Sequence, residues 1–275
     1  MEKLLFDTHC HLSNDMYPID EAFLQELQAS QVKYVVDIGT DLNDSRLTAA
    51  NAQKYDFVYA TAGFWPGNTT GVTEDDMAAI GALLQQPKVV AMGEIGLDYH
   101  YEDTDKEAQQ YWFRKGLELA ILLKKPVCIH SRDADDDTMR ILKESGIFSQ
   151  KRYDDFPPRE DGSPDARVLL HSFSGSAELA RQYVKLGADI SISGPVTYKN
   201  ARKAVQVVAE TELSRLTAET DAPYLTPVPF RGTPNKSVYV AYTVQKIAEI
   251  KGISFEEAAR ATLANGCRFF GIENK

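Results

Sequence analysis

The chain has 275 residues, 43% hydrophobic and 25% charged, with a formal net charge of −10. That length can bury a substantial core, and no apolar run approaches the roughly eighteen residues of a membrane span, which excludes a helical membrane protein. The acidic balance argues against tight, nonspecific binding along long duplexes, although bound divalent cations can reverse the sign locally. The apolar stretch after Met1 is too short for a secretory signal, so a cytoplasmic location is expected. Cys10, Cys128 and Cys267 form no close pair and are odd in number, which predicts reduced thiols.

Apolar, β-branched-rich runs recur eight times, each followed by helical periodicity, the pattern of βα units around a parallel sheet. The predicted strands are Leu4–His9, Tyr34–Gly39, Phe57–Gly63, Val89–Ile95, Pro126–His130, Val168–Ser172, Asp189–Gly194 and Leu216–Asp221. Helical candidates include Asp20–Ser30, Thr73–Gln86, Lys106–Lys124, Ser176–Leu186 and Asn200–Leu213, with Gly146 and Gly187 where C-terminal caps belong. Ser254 and Glu257 read as a capping box opening a last helix through Ala264. Eight such units without a linker predict one α/β domain over residues 1–275, a (β/α)8 TIM barrel. A doubly wound sheet is the alternative, but no glycine-rich phosphate loop follows the first strand. The polar, proline-bearing Ser149–Ala166 reads as an exposed loop. Shortening it over Lys151–Pro164 is expected to leave the barrel folded.

His9 and His11 are two positions apart at the end of the first strand, where a period of two puts both imidazoles on one face. His130 and His171 close predicted strands five and six, while Glu94 and Asp221 hold equivalent places on strands four and eight. All six groups therefore converge on the C-terminal mouth of one barrel. Four imidazoles and two carboxylates exceed the needs of one zinc ion and suit two divalent ions sharing a carboxylate. Asp98 fits a group that orients a metal-bound histidine. Arg132 and Arg231 are candidates for phosphate oxygens, Trp65 and Tyr99 for stacking on a base. His100 reads as a loop residue, and Cys10 as a small residue facing away from the histidine pair.

Five segments carry a resemblance. Phe6-Asp7-Thr8-His9-Cys10-His11-Leu12, Gly93-Glu94-Ile95-Gly96-Leu97-Asp98-Tyr99, Pro126 through Ala134, His171-Ser172-Phe173-Ser174-Gly175 and Glu219 through Pro227 resemble, in the same order, the motifs of the TatD family of metal-dependent deoxyribonucleases. The resemblance implies an amidohydrolase-like barrel that hydrolyses phosphodiesters with two divalent ions, Mg2+ first and Zn2+ or Mn2+ as alternatives. It implies that His9 and His11 hold one ion with Asp221 nearby, that His130 and His171 hold the other, and that Glu94 bridges them. Asp221 is then the candidate general base for a water that the ions acidify. DNA or an oligonucleotide is the expected partner, with no membrane and no obligate protein partner. Where the family usually shows histidines around a proline after strand three, this chain has Gly63-Phe64-Trp65-Pro66-Gly67-Asn68, which opens the question of substrate. The loop before His171 is also longer than usual, which predicts a different rim to the site. Hydrolysis of another ester or amide, aminoacyl-tRNA deacylation included, is the first alternative. A catalytically silent binding protein is the second.

Overall fold

The computed structural model describes residues 2–13 and 16–274; residues 1, 14, 15 and 275 of the expected domain lie outside the described residues. Eight parallel strands run β1 (Leu5–Cys10), β2 (Val32–Asp37), β3 (Val58–Ala62), β4 (Val89–Asp98), β5 (Val127–Arg132), β6 (Val168–Leu170), β7 (Asp189–Ile192) and β8 (Leu216–Ala218). They pair in sequence order. The helices are α1 (Glu21–Ala29), α2 (Leu42–Lys54), α3 (Glu74–Leu84), α4 (Lys106–Leu122), α5 (Asp135–Glu144), α6 (Gln150–Tyr153), α7 (Ala177–Lys185), α8 (Arg202–Glu210), α9 (Val240–Lys251) and α10 (Phe255–Phe270). Strands one and eight meet just past their ends, where the Asp221 N–H donates to the His9 carbonyl and the His11 N–H to the Ala222 carbonyl, each at 2.8 Å. The buried Asp7 carboxylate clamps the same seam by accepting from the Thr220 N–H at 2.8 Å and its hydroxyl at 2.6 Å. The sheet is a nearly closed barrel, as the eightfold alternation predicts.

Every predicted strand is present, with ends moved by a few residues. β4 is three residues longer than expected because Gly96, Leu97 and Asp98 go on pairing with His130, Ser131 and Arg132. Gly96 permits this close approach, since a Cβ there would fall 2.0 Å from the His130 carbonyl oxygen. Gly146 and Gly187 follow α5 and α7 with φ of 81° and 88°, the left-handed geometry of a helix stop. Ser254 caps α10 by accepting from the Glu257 N–H at 3.1 Å, and the helix runs on to Phe270, beyond the expected Ala264. Helices α2, α6 and α9 were given no bounds from the sequence, and α5 only the cap at Gly146. The buried face of α2 shows why: it consists of Ser45, Thr48, Ala49 and Ala52, which leave no apolar stripe to detect.

Most of Ser149–Ala166 is exposed, as expected, but its place at the rim of the site is overturned, and part of it is anchored in the protein. Within it lies α6, and Arg152 is 1% exposed. Its guanidinium donates to the carbonyls of Ala166 at 3.1 Å and Lys125 at 2.6 Å. Arg159 pairs with Asp189 at 3.2 Å and bonds the Ser214 carbonyl at 2.6 Å, while Arg215 donates to Ser163 and Pro164 at 2.6 and 2.9 Å. Asp189 opens β7 and Arg215 precedes β8, so the segment packs at the N-terminal end of the barrel, away from the mouth. A connection that enters a strand from a helix must lie at that end. Its anchors are arginines, which apolar periodicity does not register.

Candidate metal centre

The strand ends bring all six expected donors together. Glu94 lies at the middle: its Oε1 is 2.7 Å from His130 Nδ1 and 3.0 Å from His171 Nε2, and its Oε2 is 3.5 Å from His9 Nε2. Asp221 Oδ1 is 3.5 Å from His9 Nε2 and 3.3 Å from His11 Nε2. Two overlapping donor groups result, His9 with Glu94 and His171, and His9 with His11 and Asp221. His9 therefore stands between the groups, its ring stacked 3.9 Å from that of His171, where the resemblance assigned it to one ion alone. The two oxygens of Glu94 face different imidazoles, the arrangement a bridging carboxylate needs.

The donors fit divalent cations. Both ring nitrogens of the fully buried His9 lack a hydrogen-bond partner, and a buried polar atom left so is costly unless something binds it. Burial, then the positive His171 beside it, lowers the His9 pKa and keeps the lone pair available. Burial alone would raise the Glu94 carboxyl, but the His171 charge and hydrogen bonds from His130 and His171 hold it well below the usual range. Burial would lower His11, yet the Asp221 carboxylate pushes it up to about 9. Imidazole and carboxylate donors crowded at 2.7–3.5 Å suit Mg2+, Mn2+ or Zn2+ by donor chemistry.

Two carboxylates orient the imidazoles. Asp98 Oδ2 lies 3.0 Å from His130 Nε2, leaving His130 Nδ1 turned to Glu94. Glu219, fully buried, accepts from the Ser172 N–H at 2.6 Å and lies 3.3 Å from His171 Nδ1. The sequence reading missed Glu219, although it stands two residues before Asp221 and, in the predicted strand Leu216–Asp221, would share its face by the same period that paired His9 with His11.

The cluster opens into a cavity of about 1300 Å³. Trp65 and Arg132 line it, the indole edge-on to His130 with centroids 6.1 Å apart. Gly67 makes room for that indole, since a Cβ there would fall 1.8 Å from the ring. Arg231 stands outside the wall, its guanidinium 4.2 Å from the centroid of the Tyr198 ring, which does line the cavity. Tyr99 is turned away, its hydroxyl 2.9 Å from Asp137, and His100 pairs with Asp133 at 3.0 Å. Cys10 is buried, its thiol facing the Val36 carbonyl at 3.3 Å. Arg202 and Lys203 also line the cavity; no motif surrounds them, and nothing in the sequence alone pointed to them.

A parallel eight-stranded barrel with imidazoles and carboxylates gathered at its C-terminal strand ends is the architecture of the barrel metallohydrolases. The chain belongs to the TatD family of metal-dependent hydrolases: a profile described as TatD related DNase matches residues 6–271. It is 40% identical to YabD, an uncharacterized metal-dependent hydrolase of Bacillus subtilis (strain 168), over 98% of this chain and 100% of that relative. To the similarly described YcfH of Escherichia coli (strain K12) it is 33% identical, over 98% and 96%. The crystal structure of YJJV, a TatD homolog from Escherichia coli K12, superposes with a TM-score of 0.88 at 31% identity, covering 99% of this chain and 100% of that one. The resemblance read from the five motifs is borne out, and among the described residues no helix is long and apolar enough to cross a membrane.

Proposed function

We propose that the protein hydrolyses phosphodiester bonds of DNA, acting on single-stranded ends and short oligonucleotides in the cytoplasm, without an obligate protein partner or a membrane. The observation that carries this reading is the pair of donor groups sharing His9 at the floor of a cavity that also presents Trp65 and Arg132. His9, His11, Glu94, His130, His171 and Asp221 would hold two divalent ions, Mg2+ by family likeness. When bound, such ions acidify a water and offset negative charge on the phosphoryl oxygens. Asp221 Oδ1 accepts the proton of the attacking water; its contacts with His9 and His11 fix the carboxylate for that task. Asp98 and Glu219 hold His130 and His171 in single orientations. Arg132 steers phosphate oxygens, and Trp65 offers a face to a base.

The test joins metal analysis of the pure protein to hydrolysis assays on bis(p-nitrophenyl) phosphate, labelled single strands and a panel of carboxylic esters, aminoacyl esters included. Phosphodiester turnover that tracks metal content is the expected result. Turnover confined to the carboxylic esters would move the reading to another ester chemistry, and a metal-free, inactive protein would leave a binding role.

A further inference from the structure

The cavity is larger than one phosphodiester group requires, since pockets for whole small ligands run to roughly 300–1,000 Å³ and this one is about 1300 Å³. Its two sides differ. Beside β2, Asp41 and Asp44 form part of the wall, and Asp44 is held in place by the Thr40 N–H and hydroxyl at 2.8 and 2.7 Å. Beside β7 and α8, the wall includes Phe173, Ile192, Val196 and Tyr198, with uncharged polar residues such as Ser193 and Asn200 between them, followed by Arg202 and Lys203. Neither the Arg202 nor the Lys203 side chain has a hydrogen bond or ion pair among the described residues; the carboxylate whose field reaches Lys203 is Asp135. Both are exposed, and in a chain of net charge −10 they place two adjacent positive charges at the edge of the cavity that holds the metal donors.

We propose that the α8 side of the cavity is a subsite for the nucleotide next to the scissile bond. Its sugar and base lie along Phe173, Ile192, Val196 and Tyr198, and its far phosphate is held by Arg202 and Lys203. The apolar wall suits a flat ring and offers no competing charge, while a guanidinium beside an ammonium gives a phosphate both a fork and a point charge. The Asp41 and Asp44 side repels the same phosphate, so the two walls together set the direction in which the strand leaves the centre. This assignment rests on the phosphodiester reading above and adds a requirement to it: a second phosphate, one nucleotide from the bond that breaks.

Three dinucleotides test it: TpT, which has the diester alone, pTpT and TpTp, each with one added terminal phosphate. For the wild type, KM for one of the two phosphorylated forms should lie at least about ten-fold below that for TpT, the discrimination that about 1.4 kcal/mol provides. In the double variant Arg202→Ala, Lys203→Ala that ratio should collapse towards one, and the charge-retaining exchange Arg202→Lys, Lys203→Arg should restore most of it. Equal KM values for all three dinucleotides in the wild type, or a ratio that survives the double alanine variant, would overturn the subsite while leaving the phosphodiester reading intact. A metal-loaded wild type that cuts none of them would overturn both.

Discussion

The two ends of the barrel handle buried charge in opposite ways. At the mouth, imidazoles and carboxylates crowd together with His9 left without hydrogen-bond partners, a donor set that cations could complete. At the floor, Arg159, Arg215 and Arg268 surround the buried Asp189, and Arg167 and Arg268 share Asp165. Those arginines also draw on backbone carbonyls: Arg167 on Arg268 and Phe269 at the end of α10, and Arg159 on Ser214. Chain direction underlies the contrast. Helices begin at the mouth, where Asp20, Asp41 and Asp105 cap exposed N–H groups, and end at the floor, where orphan carbonyls attract guanidinium. The mouth is arranged for function and the floor for closure, so substitutions at the two ends should fail differently.

The largest effect is expected at the mouth. Glu94→Ala should lower both metal content and turnover, and Asp221→Asn should lower turnover by about 10²–10⁴-fold with metal largely retained; metal analysis beside kinetics separates the two. If Glu94→Ala bound a full complement of metal, the bridging role would be wrong. At the floor, Asp189→Ala should destabilise by about 3–5 kcal/mol, because it strands several buried guanidinium groups, and denaturant titration reads this directly. Removing Lys151–Pro164 should unfold or strongly destabilise the protein, since Arg152 and Arg159 leave with it. Activity per folded molecule after either floor change should match the wild type; a shifted substrate profile would mean that the ends are not independent.

Smaller effects sharpen the contrast. Glu219→Leu should weaken metal binding by about 10–100-fold, the usual cost of losing a partner that orients a metal-binding histidine, with Glu219→Gln recovering part of it; metal titration checks both. Trp65→Ala should weaken short-oligonucleotide binding by about 1–3 kcal/mol without moving the unfolding midpoint much, because the indole lies over the mouth and only part of it is buried. For intact DNA, a labelled single strand should be cut faster than its annealed duplex, and a covalently closed circle slowest. A circle cut as fast as the single strand would remove the preference for ends.

Much of the mouth was legible in the sequence because its chemistry uses rare residues at strand ends. With five histidines in the chain, four of them at predicted strand termini outweigh any uncertainty in boundaries. The floor was illegible for the opposite reason: Arg152, Arg159 and Asp165 sit in a stretch that reads as solvated, and charged residues that are buried by pairing carry no local signal. Glu219 fell between these cases, since its period with Asp221 is visible but its role depends on reaching His171 across 48 residues. Arg231 shows the reverse limit, a loop position that pointed toward the mouth and lies instead behind Tyr198.

The seam between the first and last strands has a consequence for how the protein is made. His11 leaves a ribosome 210 residues before Asp221, and Asp7 213 residues before its partner Thr220. At translation speeds of about 5–20 residues per second, the early imidazoles wait for about ten seconds or more before the carboxylate they face exists. The donor set is incomplete during that interval, so an ion met then would find fewer ligands than the folded barrel offers.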